Sequence, residues 1–208
     1  AIVVNPHAPS GSLLPVSYFS ELASKFPGVL IIDEAYVDFI DPEQNYDSIP
    51  LISEHKNILL LRSLSKGYSL AGLRFGYGIA ARELIDPMMF KTRDSYNTDH
   101  ISQQLASAAL RSVIYSRQTW NDVRQSRNSL GEKLNTLGLS CISSQANFLL
   151  CQVPESIGAE ALYEQLKNKN ILVRYFDQNR LRDKLRISIG SPEENSAMIK
   201  SIEEILQQ

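Results

Sequence analysis

Two short, continuously apolar runs constrain the fold of this 208-residue chain more than any other feature. Val29–Ile32 and Ile58–Leu61 contain no polar residue, which is the pattern of strands that are buried on both faces of a sheet. A similar run, Ile2–Val4, precedes them, and a weaker one, Phe75–Ala80, follows. Helical spacing over Pro15–Phe26 separates the first two strands. Strands alternating with helices favour parallel β-α-β units, so we expect an α/β layer fold.

The second half of the chain has a different pattern. From about Asp99 to Leu137 apolar residues recur with helical spacing, and we expect a break near Tyr115–Thr119 because this span is long for one globular helix. Strand and helix patterns alternate again after it. We therefore place a domain boundary near Ser95, with an α/β portion over residues 1–95 and a smaller α+β domain over residues 96–208.

The composition argues against nucleic-acid and membrane partners. The chain has 21 basic and 23 acidic residues, so its formal charge of −2 provides no electrostatic attraction for a polyanion. No run approaches the roughly 20 apolar residues that a membrane helix requires. We therefore expect neither a nucleic acid nor a membrane as partner.

The cysteines and histidines suggest no metal site. Cys141 and Cys151 both lie in apolar surroundings, and neither they nor the three histidines have the spacing of metal ligands. Two cysteines of this kind fit a reducing compartment, so we expect them to be reduced in a cytoplasmic protein.

Polar side chains follow each of the apolar strands. Since ligands of open α/β sheets bind beyond the carboxyl ends of the strands, we expect these side chains to converge. The loop NPHAPSG follows the first strand, and DEAY follows the second. After the third strand come two serines and a lysine, and an arginine lies eight residues beyond the lysine. Such a set could hold an aldehyde cofactor that carries a phosphate; its members are Asp33, Tyr36, Ser63, Ser65, Lys66 and Arg74.

The motifs NPHAPSG, DEAY, SLSKGYSLAGLRFGY and LRISIG occur in one order along the chain. In this set the chain resembles the fold-type-I aminotransferases that depend on pyridoxal 5′-phosphate (PLP), and within them the histidinol-phosphate aminotransferases. The resemblance runs from Val3 to the last helix. It implies the C-terminal part of a large domain, with a mostly parallel sheet flanked by helices, followed by a small α+β domain. It also implies PLP as the cofactor.

The resemblance gives each strand-end residue a role. Lys66 would bind the cofactor aldehyde covalently and later move a proton from the substrate Cα to the cofactor C4′ carbon. Asp33 would pair with the pyridine nitrogen, and Tyr36 would donate to the 3′ oxygen. The cofactor phosphate would be bound by Ser63, Ser65 and Arg74. Any one of these residues alone is more often a solvated or capping residue, and only their joint occurrence favours a site.

The implied reaction exchanges an amino group between L-histidinol phosphate and 2-oxoglutarate, as a step of histidine biosynthesis. The substrates would thus be an amino donor with a phosphate ester and a 2-oxo acid. Arg186 would contact their anionic groups, with Arg174 as a weaker candidate. The family also implies a homodimer whose active sites lie at the subunit interface.

Two departures from the family pattern limit this interpretation. Where the family usually has an asparagine that contacts the 3′ oxygen, this chain has Ala8. Either Asn5 or His7 compensates, or Tyr36 makes the contact alone, and the contact stays unassigned. The chain also starts at Ala1 inside a strand-like run, so we expect that the N-terminal portion of the family is missing upstream.

Several alternatives remain open. A threonine-phosphate-type decarboxylase shares this motif set, and other class I or II aminotransferases do so too. Ser63 and Lys66 also form an S-x-x-K pattern, as in penicillin-binding proteins, but the S-D-N and K-T-G elements of those enzymes are absent. A further hypothesis is a domain that folds without turning over substrate.

Overall fold

The computed structural model describes residues 1–92 and 94–207, and its contacts divide the chain into two compact units. The first unit comprises Ala1–Ala8 and Leu13–Trp120, and the second comprises Pro9–Ser12 and Asn121–Gln208. The domain boundary near Ser95 stays a prediction. The helices and strands are, in chain order, β1 (Ile2–Val4), α1 (Val16–Lys25), β2 (Leu30–Asp33), α2 (Leu51–Glu54), β3 (Ile58–Ser63), β4 (Gly76–Ala80), α3 (Arg82–Pro87), α4 (His100–Arg111), α5 (Val113–Thr136), β5 (Ser140–Cys141), β6 (Phe148–Gln152), α6 (Ala159–Asn168), β7 (Arg174–Tyr175), β8 (Lys184–Ser188) and α7 (Pro192–Leu206).

The first unit contains a four-stranded sheet in the order β1-β2-β3-β4. The first three strands are parallel, which confirms the expected mostly parallel sheet, and β4 is antiparallel to β3. The connection to β4 explains this exception, since it holds only a short 3₁₀ turn over Ala71–Leu73 instead of a crossover helix. The chain therefore turns back beside β3, and Leu64 N donates to Phe75 O at 3.1 Å.

The apolar runs of β2 and β3 form the core of the first unit. Phe19 and Ala23 of α1 pack on these strands, as does Leu51 of α2. The strand members of this core are fully buried; they are Leu30, Ile32, Ile58 and Leu60. Burying these side chains stabilises the sheet and thereby fixes the carboxyl ends of β2 and β3, where the polar residues follow.

The helical span after Asp99 is broken, though not where the spacing predicts. The N-cap carboxylate of Asp99 accepts a hydrogen bond from Ser102 N at 2.8 Å, and α4 then runs to Arg111. The break is at Ser112, whose N–H donates to two carbonyls of the last turn of α4. The predicted position near Tyr115–Thr119 is wrong by a few residues, because the apolar spacing continues through the break. Within the described part of the chain, no helix combines the length and the apolar character needed to cross a membrane.

The second unit contains an antiparallel sheet in the order β5-β6-β8-β7. Three of the buried residues in its core are Leu130 of α5, Leu162 of α6 and Ile202 of α7. The start of α7 is a capping box: the Ser191 hydroxyl accepts from Glu194 N at 3.3 Å, and Glu194 accepts from Ser191 N at 2.8 Å. The Ser-Pro-Glu-Glu sequence predicts this helix start.

The two cysteines are joined, contrary to the expectation that both are reduced. Cys141 of β5 pairs directly with Cys151 of β6 in the antiparallel register, and the two form a disulfide. The spacing along the chain does not reveal this pairing, because it depends on how the two strands align.

Candidate active site

The carboxyl ends of the three parallel strands lie side by side and hold polar residues. Hydrogen bonding continues past the strands, since Asn5 N donates to Asp33 O at 2.9 Å and Glu34 N donates to Leu61 O at 2.8 Å. The main chain around Asp33 is therefore tied on both sides. A cavity of about 410 Å³ opens at this edge, and its lining residues are Asp33, Ala35, Leu61, Arg62, Ser63, Gly76, Tyr77 and Gly78.

Asp33 presents a carboxylate to this cavity. One carboxylate oxygen, Oδ1, accepts a hydrogen bond from Ala35 N at 3.1 Å. Among the described residues, no side chain donates to the other oxygen or forms an ion pair with it. Because the main chain fixes the group while leaving it acceptor capacity, Asp33 can receive a cationic N–H from a ligand in the cavity.

Lys66 lies in the turn after β3, and its side chain is exposed. Its amine is 5.9 Å from the centroid of the Tyr36 ring, so the structure brings these two predicted site residues together. Ser63 and Ser65 are also adjacent, with Ser65 N donating to Ser63 Oγ at 3.1 Å. The turn thus carries a nucleophile beside a phenol and two hydroxyls.

Arg74 lies farther along the same connection, in the left-handed region with φ of 56°. It is exposed, and its guanidinium donates to Ala71 O in its own turn at 2.8 Å. Arg74 is not among the residues that line the cavity with Asp33 and Ser63. Its predicted contact with a phosphate stays a prediction.

Asn5, one of the two candidates to replace the asparagine missing at Ala8, is occupied. Its buried side chain accepts from Leu14 N at 2.8 Å and donates to Leu14 O at 3.2 Å. It also donates to the Tyr46 hydroxyl at 3.1 Å. These bonds hold Asn5 in the interior, so its amide is not available to a ligand. His7, and Tyr36 acting alone, stay the open alternatives.

An ion pair between the buried Glu34 and the partly buried Arg62, which the sequence does not reveal, lies directly beside these residues. Glu34 is 1% exposed and accepts hydrogen bonds from Arg62 Nε at 2.9 Å, from the Tyr46 hydroxyl at 3.0 Å and from the Ser48 hydroxyl. Burial, and then the charge of Glu34, raise the pKa of Tyr46 above its usual value. Asp33, the last residue of β2, and Glu34 after it are two consecutive acids, and because side chains alternate along an extended chain only one of them points toward each face.

The Glu34–Arg62 pair provides a prediction about stability. Arg62→Met leaves Glu34 as an uncompensated buried charge and is expected to lower the free energy of unfolding by about 3 kcal/mol. The Arg82–Asp86 pair is a matched control, because its nitrogen–oxygen distance is also 2.9 Å while its side chains are 86% and 44% exposed. Arg82→Met should cost less than about 1 kcal/mol. Urea denaturation measures both free energies of unfolding. An equal loss of stability in the two variants would contradict a stabilising role of Arg62 as the partner of the buried Glu34.

The side chain of Asp38 packs against Gly67, the residue that follows Lys66. A Cβ built on the buried Gly67 would lie 2.1 Å from Asp38 Oδ2, so a larger residue has no room there. Burial raises the pKa of Asp38 to about 6, against the opposing effect of the Arg62 charge. The Asp38 carboxylate can therefore approach residue 67 closely only because Gly67 has no side chain.

The second unit holds the two remaining candidates, Arg174 and Arg186, at directly paired positions of β7 and β8. The guanidinium carbon of Arg186 is 5.1 Å from the Phe148 ring centroid and 5.8 Å from that of Phe176. Arg174 lies 5.4 Å from the same Phe176 ring. The Nε of Arg186 is buried and has no hydrogen-bond partner among the described residues. A buried donor of this kind is satisfied when a ligand supplies an acceptor.

Residues 1–92 and 94–207 contain no group of three or more His, Cys, Asp or Glu side chains that could hold a metal ion.

The comparisons with known proteins fit the strand-end geometry. Residues 2–202 match the model of the family Aminotransferase class I and II. The chain is 43% identical over 205 residues to histidinol-phosphate aminotransferase 1 of Nostoc sp., covering 99% of this chain and 56% of that protein. The chain thus spans little more than half the length of the curated relatives that it matches.

Solved structures agree with this relationship. A histidinol-phosphate aminotransferase from Sinorhizobium meliloti in complex with pyridoxal-5′-phosphate superposes with a TM-score of 0.90 and 25% identity, over 99% of this chain and 57% of that one. L-threonine-O-3-phosphate decarboxylase from Porphyromonas gingivalis is similar in fold, with a TM-score of 0.80 and 23% identity, over 100% of this chain and 64% of that one. The family match over residues 2–202, together with the fold, leads to one conclusion: the chain belongs to the aminotransferase class I and II family.

Proposed function

We propose that this chain forms the lysine-bearing part of a PLP-dependent aminotransferase that exchanges an amino group between L-histidinol phosphate and 2-oxoglutarate. The observation that carries the proposal is the arrangement at the ends of β2 and β3. There the Asp33 carboxylate lines a cavity with Ser63, and the Lys66 amine lies beside the Tyr36 ring. The 43% identity to an aminotransferase with this substrate in its name supports the choice of amino donor.

The residues present fit PLP. The cofactor has an aldehyde, a phenolic oxygen, a pyridine nitrogen and a phosphate, and the site offers an amine, a phenol, a carboxylate and hydroxyls. The carboxylate of Asp33 is fixed through Oδ1 by a main-chain N–H and keeps acceptor capacity for a pyridinium N–H. When bound, the cofactor supplies an aldehyde that captures amino groups and a ring that accepts the electron pair of the Cα–H bond.

Each side chain would then have a defined role. Lys66 would hold the cofactor through its aldehyde and, once free again as an amine, would move the proton from the substrate Cα to C4′. Asp33 would keep the proton on the pyridine nitrogen, and Tyr36 would donate to the 3′ oxygen. Ser63, Ser65 and Arg74 would hold the phosphate, and Arg74 would have to release Ala71 O to do so.

Arg186 is the proposed contact for the anionic groups of the substrates. Its buried Nε lacks an acceptor among the described residues, and a carboxylate or phosphate oxygen supplies one. The rings of Phe148 and Phe176 hold its guanidinium in place. Arg174, exposed and beside the same Phe176 ring, assists as a second cation.

The reaction is tested with the protein at its full natural length. With L-histidinol phosphate and 2-oxoglutarate it should form glutamate, and omission of either substrate should stop the reaction. The competing activity is decarboxylation of L-threonine-O-3-phosphate, which needs no oxo acid. Release of carbon dioxide from that compound, without glutamate formation from the first pair, would contradict the proposal.

A homodimer in the cytoplasm, acting in histidine biosynthesis, completes the proposal, and in that reducing compartment Cys141 and Cys151 would be present as thiols in place of the disulfide. The first unit carries several large apolar side chains that are exposed, and such surface is typical of contacts with another protein chain. They include Phe90, Tyr96, Ile101 and Ile114. Light scattering of the full-length protein measures the oligomeric state, and a monomer at micromolar concentration would contradict it.

A further inference from the structure

The turn that carries Lys66 combines an exposed lysine with a buried and tied main chain. Leu64 is fully buried, Gly67 is buried, and only the lysine between them is exposed. Leu70 N donates to Leu64 O at 3.0 Å, and Ser69 N donates to Lys66 O at 3.1 Å. The base of the turn is thus fixed by local bonds.

One further bond comes from a distant part of the chain. The indole N–H of Trp120 donates to Gly67 O at 2.6 Å, across 53 residues of sequence. Asp38 Oδ2 approaches the position that a side chain of Gly67 would occupy. Gly67 is therefore held from two sides: the Trp120 indole donates to its carbonyl, and the Asp38 carboxylate packs against its Cα.

The Trp120 ring is itself oriented. The Tyr68 ring meets it edge to face, with centroids 5.5 Å apart and an interplanar angle of 86°. This geometry is favourable for aromatic pairs and aligns the indole with the turn. Tyr68 is also the next residue after Gly67, so one ring contact and one hydrogen bond join Trp120 to consecutive residues of the lysine turn.

We propose that Trp120 is a positioning residue for Lys66: its indole N–H fixes the Gly67 peptide, so that the lysine amine is held ready for an aldehyde. This inference rests on the proposed function, in which the deprotonated Lys66 amine would condense with the aldehyde of PLP, forming a C=N bond and releasing the aldehyde oxygen as water. A lysine on a mobile turn would have to be ordered at the moment of capture, and prior ordering removes that entropic cost. Trp120 therefore promotes the covalent step and leaves non-covalent binding of the cofactor unchanged.

The test compares two ligands in the full-length protein. PLP can react with Lys66, whereas pyridoxine 5′-phosphate, which has an alcohol in place of the aldehyde, can only bind non-covalently. Trp120→Phe keeps an aromatic ring and removes the donor. We expect its dissociation constant for PLP to rise about tenfold, and that for pyridoxine 5′-phosphate to change less than about twofold.

A second variant protects the test against a packing artefact. Replacing Trp120 by its benzothiophene analogue, in which sulfur stands in place of the indole N–H, keeps the ring shape and should reproduce the selective loss of PLP affinity. In the wild-type protein, the Trp120 indole proton, identified by its absence from the spectrum of Trp120→Phe, should exchange slowly with solvent.

The possible results separate the inference from the function on which it rests. Equal weakening of both ligands would mean that Trp120 only stabilises the fold, and it would overturn the inference. Unchanged affinity for PLP in both variants would overturn it as well, while leaving the proposed function intact. A wild-type protein that binds neither ligand would overturn the proposed function and the inference together.

Discussion

Lys66→Ala is expected to abolish the visible absorbance band that the full-length protein acquires with PLP. The band depends on a covalent bond between the cofactor aldehyde and an amine, and Lys66 carries the amine next to Tyr36. Lys66→Arg should also lack the band, because a guanidinium is not deprotonated in proteins and does not act as a nucleophile. Absorbance titration with PLP measures the effect.

The matched control for this prediction is Lys56→Ala. Lys56 is also exposed, and it lies 4.0 Å from Glu83 in a surface ion pair that contributes little to stability. This variant should keep the full band and the wild-type melting temperature. A band of unchanged intensity in Lys66→Ala would show that another lysine reacts, and the assigned site would be wrong.

Gly67→Ala is expected to disrupt the lysine turn. The added Cβ would lie 2.1 Å from Oδ2, 2.6 Å from Cγ and 2.7 Å from Cβ of Asp38, and real Cβ atoms do not approach other atoms so closely. Relieving this clash must move Asp38 or the turn, and overpacking of this kind costs about 1–3 kcal/mol. We expect a loss of stability in that range and at least a tenfold weaker affinity for PLP, roughly the equivalent of 1.4 kcal/mol.

Gly72→Ala is the control, because nothing lies within 4 Å of the Cβ that it adds in the same connection. It should change the free energy of unfolding by less than about 0.5 kcal/mol. Combining Gly67→Ala with Asp38→Gly removes the clashing side chain and should restore part of the affinity for PLP. Equal behaviour of the two alanine variants in urea denaturation and PLP titration would contradict the clash.

The sequence predicts the elements and residues whose signals are local. Apolar runs mark β2 and β3, and the polar residues at and beyond the ends of these runs include Asp33 and Lys66, which the parallel order of the strands brings to one edge. The β-α-β pattern misses the antiparallel return of β4, because the short 3₁₀ connection resembles ordinary loop sequence.

The residues that escape prediction take part in contacts between distant segments. Arg62 pairs with Glu34 across 28 residues, and Trp120 reaches Gly67 across 53. In the sequence Trp120 fits the apolar face of a helix, and nothing local indicates that its N–H donates to the lysine turn. The disulfide likewise depends on the register of β5 and β6. Tertiary packing, and not local propensity, determines these contacts.

The most direct test of the account locates the bond between protein and cofactor. The full-length protein is loaded with PLP, treated with borohydride to reduce the lysine–cofactor double bond, and digested for peptide mass spectrometry. The account predicts one pyridoxyl-modified residue, Lys66. Modification spread over surface lysines such as Lys25 and Lys56, or none at Lys66, would contradict it.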